Sequence, residues 1–306
     1  MDIAVMGAGG VGGYFGGMLA RAGNRVTFVA RGDHLKAIET SGLRVVHHQG
    51  DFTVTAEATD NPQEIGPVEL VLFTVKAYDT EAAIPAVASM LGPDTSVLTL
   101  QNGVDSYKVL GQALGKEKVF PGAAYIESRI SSPGMVQQTG DVVRIVFGEV
   151  DGKETPRATR IHAALRDAGV NAELSGDVLK TLWTKFLFIT SVAGLTSACR
   201  TGLGMLLEEP EYKGILVAAM KEIEAVGRAH GINLDSDVVQ QTMGYVESVV
   251  KHITASMHVD LERGRRLELD TFSGAVVRLG KEVGVDTPIN ELLYLVLKPH
   301  INGRGV

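Results

Sequence analysis

Lys185 stands in an apolar helical face, with Val178, Thr181, Leu182, Phe188, Ile189 and Val192 as its neighbours on that face. A lysine so placed must carry its ammonium out to solvent, meet a counter-charge or line a cleft. Desolvation lowers a lysine pKa toward the range in which the group moves protons near neutral pH. A snorkelling lysine at a domain boundary is the structural alternative. Glu268 and Asp270 follow a basic segment, Arg263-Gly264-Arg265-Arg266, and read by pattern as acids at a helix entrance. Ser256 and His258 lie near the end of a predicted helix, where a capping or solvated role suits each.

A second constellation lies at the start of the chain. Gly7-Ala8-Gly9-Gly10-Val11-Gly12 has the G-x-G-x-x-G spacing, with an apolar strand at residues 2–6 before it and a small-residue helix through Arg21 after it. Strand, turn and helix in that order give the spacing its meaning as a dinucleotide site. Gly7 permits the tight turn, Gly9 admits the backbone to a pyrophosphate, and Gly12 lets helix and strand pack closely. Gly10 and Val11 complete the cradle, where phosphates meet the positive end of a helix.

The elements that follow bring further groups to the same place. A strand at residues 25–30 ends at Arg31, nineteen residues after Gly12, where an NAD site carries an acid. A guanidinium suits a 2′-phosphate instead, so NADP is expected over NAD. Asp33 is the argument for NAD, and a solvated loop cation is the structural alternative for Arg31. A buried strand at 68–75 ends at Lys76, a helix fits 80–91, and a strand at 96–100 ends at Gln101-Asn102-Gly103. In an open parallel sheet the carboxyl ends of the strands share one edge. Gly7, Arg31, Lys76 and Asn102 are thereby expected on one rim.

Residues 43–47 and 52–55 read as a hairpin-like excursion turning at Gln49-Gly50-Asp51. His47 and His48 at its tip point to opposite faces, poor joint metal ligands that read as surface residues. A strand is expected at 118–124, a hairpin at 135–150 around Gly140-Asp141, and a helix at 156–168. From Gly176 onward only helices are expected, at 177–198, 211–230, 236–258, 270–284 and 289–298. The expected architecture is α/β followed by all-α: a Rossmann-type doubly wound sheet over residues 1–175 and a helical domain over 176–306.

Composition agrees with two buried cores: 306 residues, 45% hydrophobic and 21% charged. A net charge of -7 speaks against general nucleic-acid binding. The single cysteine, Cys199, allows no intramolecular disulfide or thiolate cluster and reads as buried packing. No His, Asp and Glu spacing makes a metal ligand set, so no metal is expected. With a strand from residue 2 and an apolar run at 186–199 too short to span a bilayer, a soluble cytoplasmic protein is expected.

Over essentially its whole length the chain resembles the ketopantoate reductases (2-dehydropantoate 2-reductases). The resemblance rests on the glycine turn, Arg31, Lys76, Gln101-Asn102-Gly103, Leu182-Trp183-Thr184-Lys185 and Ser256-Met257. Glu268-Leu269-Asp270 with Gly274 and Thr287-Pro288-Ile289-Asn290 complete it. It implies that Lys185 is the general acid and that Glu268 orients it and the substrate hydroxyl. Asn102 would position nicotinamide and substrate, Ser256 would hold the substrate carboxylate, and Lys76 would lie in the cleft. The family places asparagines one and two turns after the lysine, where this chain has Ile189 and Ala193.

The reading is an NADPH-dependent reductase of a small 2-oxo acid, ketopantoate first, working in a cleft between the two domains. Its alternatives are a reductase of another 2-oxo acid and a regulatory protein that senses NADPH without turnover. Neither nucleic acid nor membrane is expected as a partner, and a homodimer is the assembly allowed for.

Overall fold

The computed structural model describes residues 1–48, 50–250 and 254–303, and divides them into two compact units, Met1–Val178 and Leu179–Val306. In the first unit strands and helices alternate: β1 Asp2–Met6, α1 Gly10–Arg21, β2 Arg25–Val29 and α2 Gly32–Ser41. Three short strands follow, β3 Leu43–Val46, β4 Phe52–Val54 and β5 Glu57–Thr59. Then come β6 Val68–Phe73, α3 Thr80–Ala88, β7 Leu91–Thr99, α4 Ser106–Leu114 and the long strands β8 Val119–Ser132 and β9 Met135–Phe147. The unit closes with α5 Pro156–Asp167 and β10 Ala172–Leu174.

Six parallel strands form the order β5-β2-β1-β6-β7-β8, the doubly wound arrangement with β1 at its centre. The register sets Val5 beside Phe28 and Leu72, and the innermost strands run apolar over Ile3 to Met6, Leu70 to Phe73 and, but for Thr27, Val26 to Val29. Alternation then divides them between two cores. Ile3 and Val5 join Phe15 of α1 and Phe28 in one cluster, while Ala4 and Met6 join Phe73, Val87 of α3 and Leu110 of α4 in the other. A sheet buried on both faces requires this continuous apolar reading.

Beyond β8 the sheet changes character. β9 returns antiparallel to β8, and β3, with β4 antiparallel beside it, attaches parallel to β9. The hairpin expected around Gly140-Asp141 is therefore displaced: its turn is at Pro133-Gly134, where Gly134 has φ +72°. Gly140, at φ +76°, lies where the pairing jumps from Tyr125–Arg144 to Glu127–Thr139, a bulge within one continuous strand. β3 and β4 do pair antiparallel, but Gln49 of their expected turn lies outside the described residues. His47 is buried rather than superficial, edge-on to Tyr14 and Phe52, because it continues the inward alternation of Leu43 and Val45.

The second unit is helical: α6 Val178–Cys199 leads into it, followed by α7 Leu203–Leu206, α8 Pro210–Ala229 and α9 Val238–Tyr245. A π-helical turn at Val246–Val250 precedes α10 Ser256–Glu262, α11 Ser273–Val283 and α12 Pro288–Leu297. The single helix expected at 236–258 is thus not continuous, and its residues 251–253 lie outside the described residues. α6 is longer than its apolar run: 22 residues with a mean hydropathy of 1.3, enough in length and composition to cross a membrane, yet 67% of that window is buried inside the fold. Cys199, its last residue, is half-buried rather than fully packed.

Candidate active site

The glycine turn follows β1 and opens α1. Gly7 has φ +101°, a conformation that disfavours any side chain, and its carbonyl accepts a 2.8 Å hydrogen bond from the Thr74 hydroxyl. A Cβ on Gly12 would lie 2.2 Å from the Gly7 carbonyl oxygen and 2.9 Å from Val5, so helix and strand touch with no room for a methyl group. Gly9 differs. It is the N-cap of α1, no side chain caps it, and a Cβ built on it would meet nothing within 4 Å. The first N–H groups of a helix lack intrahelical partners, so this open end suits an anion. Gly10 and Val11 form the first turn beside it. These are the features a dinucleotide pyrophosphate needs, and the residues fit that group.

Gly7, Arg31, Lys76 and Asn102 follow the carboxyl ends of β1, β2, β6 and β7, which are neighbouring parallel strands in the order β2-β1-β6-β7. Arg31 is exposed at the N-cap of α2. Three residues on, His34 is half-buried: its Nε2 donates to the Ala8 carbonyl at 2.8 Å, and its Nδ1 accepts from the Gly134 N–H at 3.0 Å. The Ala8 N–H in turn donates to Val29 at the end of β2, at 3.0 Å. Lys76 is half-buried at the entrance of a short 3-10 turn, Ala77–Asp79. Gln101 is buried and donates from Nε2 to the Val75 carbonyl at 2.9 Å and to the Thr80 hydroxyl at 2.8 Å. It thereby ties the chain carrying Asn102 to the chain carrying Lys76.

In the helical unit the structure brings Lys185 and Glu268 within electrostatic reach. Burial pushes the Lys185 ammonium down from its ordinary value to about 8, and the negative charge of Glu268 opposes that fall. Glu268 is 6% exposed, on a turn whose neighbours Leu267, Leu269 and Phe272 are all buried. α11 begins only at Ser273, so Glu268 belongs to the turn ahead of the helix, its carbonyl accepting from the N–H groups of Thr271 and Phe272. Ser256 is exposed as the first residue of α10, at the beginning of a helix rather than near the end of one. Phe188 and Ile189, one turn beyond Lys185, are half-buried, and Val192 and Ala193 are buried.

Thr74, His34 and Gln101 were missed as supports of this region, because each acts through a backbone partner distant in sequence. Another missed role is that of Glu222 on α8. Its carboxylate accepts from the N–H groups of Ile289 and Asn290 at 2.8 and 2.9 Å and from Asn290 Nδ2 at 2.7 Å. Thr287-Pro288-Ile289-Asn290 is thereby a helix start capped by a neighbouring helix.

A doubly wound sheet with an open glycine turn, joined in one chain to a helical unit that holds a lysine of lowered pKa beside a buried glutamate, is an arrangement suited to a dinucleotide-dependent enzyme. Comparison with known proteins narrows the class. Residues 3–152 match the family described as ketopantoate reductase PanE/ApbA, and residues 177–300 match its C-terminal counterpart. The chain is 31% identical to the uncharacterized oxidoreductase YkpB of Bacillus subtilis, over 97% of this chain and 98% of that one. It is also 31% identical to the 2-dehydropantoate 2-reductase of Archaeoglobus fulgidus, over 97% and 96%. The crystal structure of a PanE/ApbA family ketopantoate reductase from Ralstonia eutropha superposes with a TM-score of 0.91 at 33% identity, covering 98% of each chain. The chain belongs to the ketopantoate reductase family of oxidoreductases.

Proposed function

We propose that this protein reduces 2-dehydropantoate to pantoate with NADPH, in the cytoplasm, as a soluble enzyme of pantothenate synthesis. The observation that carries the reading is the Lys185–Glu268 pair, a buried acid holding a lysine whose pKa has fallen to about 8. A bound nicotinamide supplies the hydride. Gly7, Gly9, Gly10, Val11 and Gly12 form the backbone cradle for its pyrophosphate, and Arg31 is the partner for a 2′-phosphate. Asn102 would position the nicotinamide and the substrate, Lys76 would lie on the same strand-end edge as a further cofactor-binding group, and Ser256 would hold the substrate carboxylate. As negative charge develops on the ketone oxygen, the Lys185 ammonium stabilises it and gives it a proton. Glu268 keeps that ammonium aimed and charged.

A reductase of another small 2-oxo acid is the second reading. Phe188, Ile189, Val192 and Ala193 continue the face of Lys185 without one hydrogen-bonding side chain, and a site that lacks a polar contact discriminates differently among hydroxylated substrates. Loss of NADPH absorbance with ketopantoate, beside a panel of other 2-oxo acids, tests both. Saturable turnover best with ketopantoate supports the first reading, and a better acid elsewhere in the panel supports the second. NADPH binding with no oxidation by any ketone removes the enzyme reading in favour of an NADPH sensor.

A further inference from the structure

His34 is unusual among the described histidines in joining three separate segments through both ring nitrogens. A carbonyl can only accept, so Nε2 carries the proton toward Ala8; the Gly134 N–H can only donate, so Nδ1 is bare. The ring is therefore neutral and in one tautomer. Burial lowers its pKa, outweighing the upward pull of the Ala8 carbonyl.

The three segments also meet sterically. The turn of the β8–β9 hairpin sits against α2, where a Cβ on Gly134 would lie 2.8 Å from the Ala37 methyl. The same hairpin sits against the glycine turn, where a Cβ on Gly10 would lie 2.4 Å from the Ser128 carbonyl oxygen. Ala8 is held from both sides of its residue, its N–H by Val29 and its carbonyl by His34. One imidazole thus links the middle of the phosphate cradle to the first turn of the helix that Arg31 caps.

We propose that His34 is a positioning residue of the cofactor site, fixing the spacing between the pyrophosphate cradle and Arg31 and so the preference for a 2′-phosphorylated dinucleotide. The proposal rests on the dinucleotide reading of that cradle. NADPH spans both points, whereas NADH asks only for the cradle, so loosening the link costs NADPH more.

The test is direct titration of NADPH and NADH by nucleotide fluorescence into the wild-type protein, His34→Ala and His34→Gln, with KM and kcat measured alongside. His34→Ala is expected to weaken NADPH binding about tenfold and NADH binding about threefold, the loss of two neutral hydrogen bonds. That loss falls on the KM for NADPH more than on kcat. His34→Gln, whose amide offers one donor and one acceptor, restores most of the preference. Unchanged affinities in His34→Ala, equal losses for the two cofactors, or a folded His34→Gln no better than His34→Ala would each overturn the proposal. If His34→Ala does not fold, His34→Asn, which reaches only one of the two partners, takes its place in the same comparison. A wild-type protein that binds neither nucleotide overturns the dinucleotide reading itself, a result distinct from any of these.

Discussion

A lysine with a pKa of about 8 is a poised acid only while it is protonated. Because burial lowers the value from 10.5, the ammonium prevails below about 8 and is lost above it. The kcat/KM for ketone reduction is therefore expected to be level on the acid side and to fall about tenfold per pH unit above that point. A profile that stays flat to pH 10 would exclude Lys185 as the proton donor. Lys185→Met should lower kcat by roughly 10²–10⁴, the usual range for losing a general acid. Near-normal turnover in that variant removes the lysine from the chemistry. Arg31→Ala should weaken NADPH more than NADH, since only the former offers a 2′-phosphate; equal losses would put that phosphate elsewhere.

At the scale of elements, α12 depends on a cap it does not itself contain. Glu222 gathers two N–H groups of the first turn and the Asn290 amide, placing negative charge at the positive end of the helix. Glu222→Ala should cost about 2–3 kcal/mol, the range of charge-assisted bonds lost together with their buried donors. Urea unfolding measures it, and a change under 0.5 kcal/mol, within the ordinary range for surface substitutions, would deny the cap. α6 illustrates the same dependence in another form. Its residues Val178 to Cys199 would pass for a membrane span by length and hydropathy, yet most of that window is interior. β9 is a third case, since the glycine that looked like its turn is accommodated as a bulge while Gly134 makes the turn.

For the whole molecule, a ligand that binds only the folded chain stabilises it by mass action. NADPH at about 100 times its dissociation constant should add about 2.7 kcal/mol to unfolding, and NADH at the same concentration less. Thermal unfolding with each nucleotide reads this directly, and equal shifts would count against the assigned 2′-phosphate preference. The two units divide the proposed labour. Met1–Val178 carries the cradle, Arg31, Lys76 and Asn102, and Leu179–Val306 carries Lys185, Ser256 and Glu268.

Much of this was legible in the order of residues because it is local. Strand, glycine spacing and helix at residues 2–21 define a turn whose geometry each glycine requires for its own steric reason, and Gly7 and Gly12 meet those reasons in the structure. The apolar run Leu70 to Phe73 of β6 follows from burial of the strand on both faces, and the helical pattern after residue 176 from a period of 3.6 residues. Even the gathering of Gly7, Arg31, Lys76 and Asn102 on one edge follows from parallel strands alone. The depression of Lys185 is a different matter: the helical face pointed to its direction, but only the packing that buries the ammonium and brings up Glu268, 83 positions away, set its extent. His34 carries no signal in its neighbourhood, because its partners Ala8 and Gly134 are backbone atoms 26 and 100 positions distant. Local pattern is written by propensity and periodicity, whereas these contacts exist only once chain segments far apart in sequence have been packed side by side.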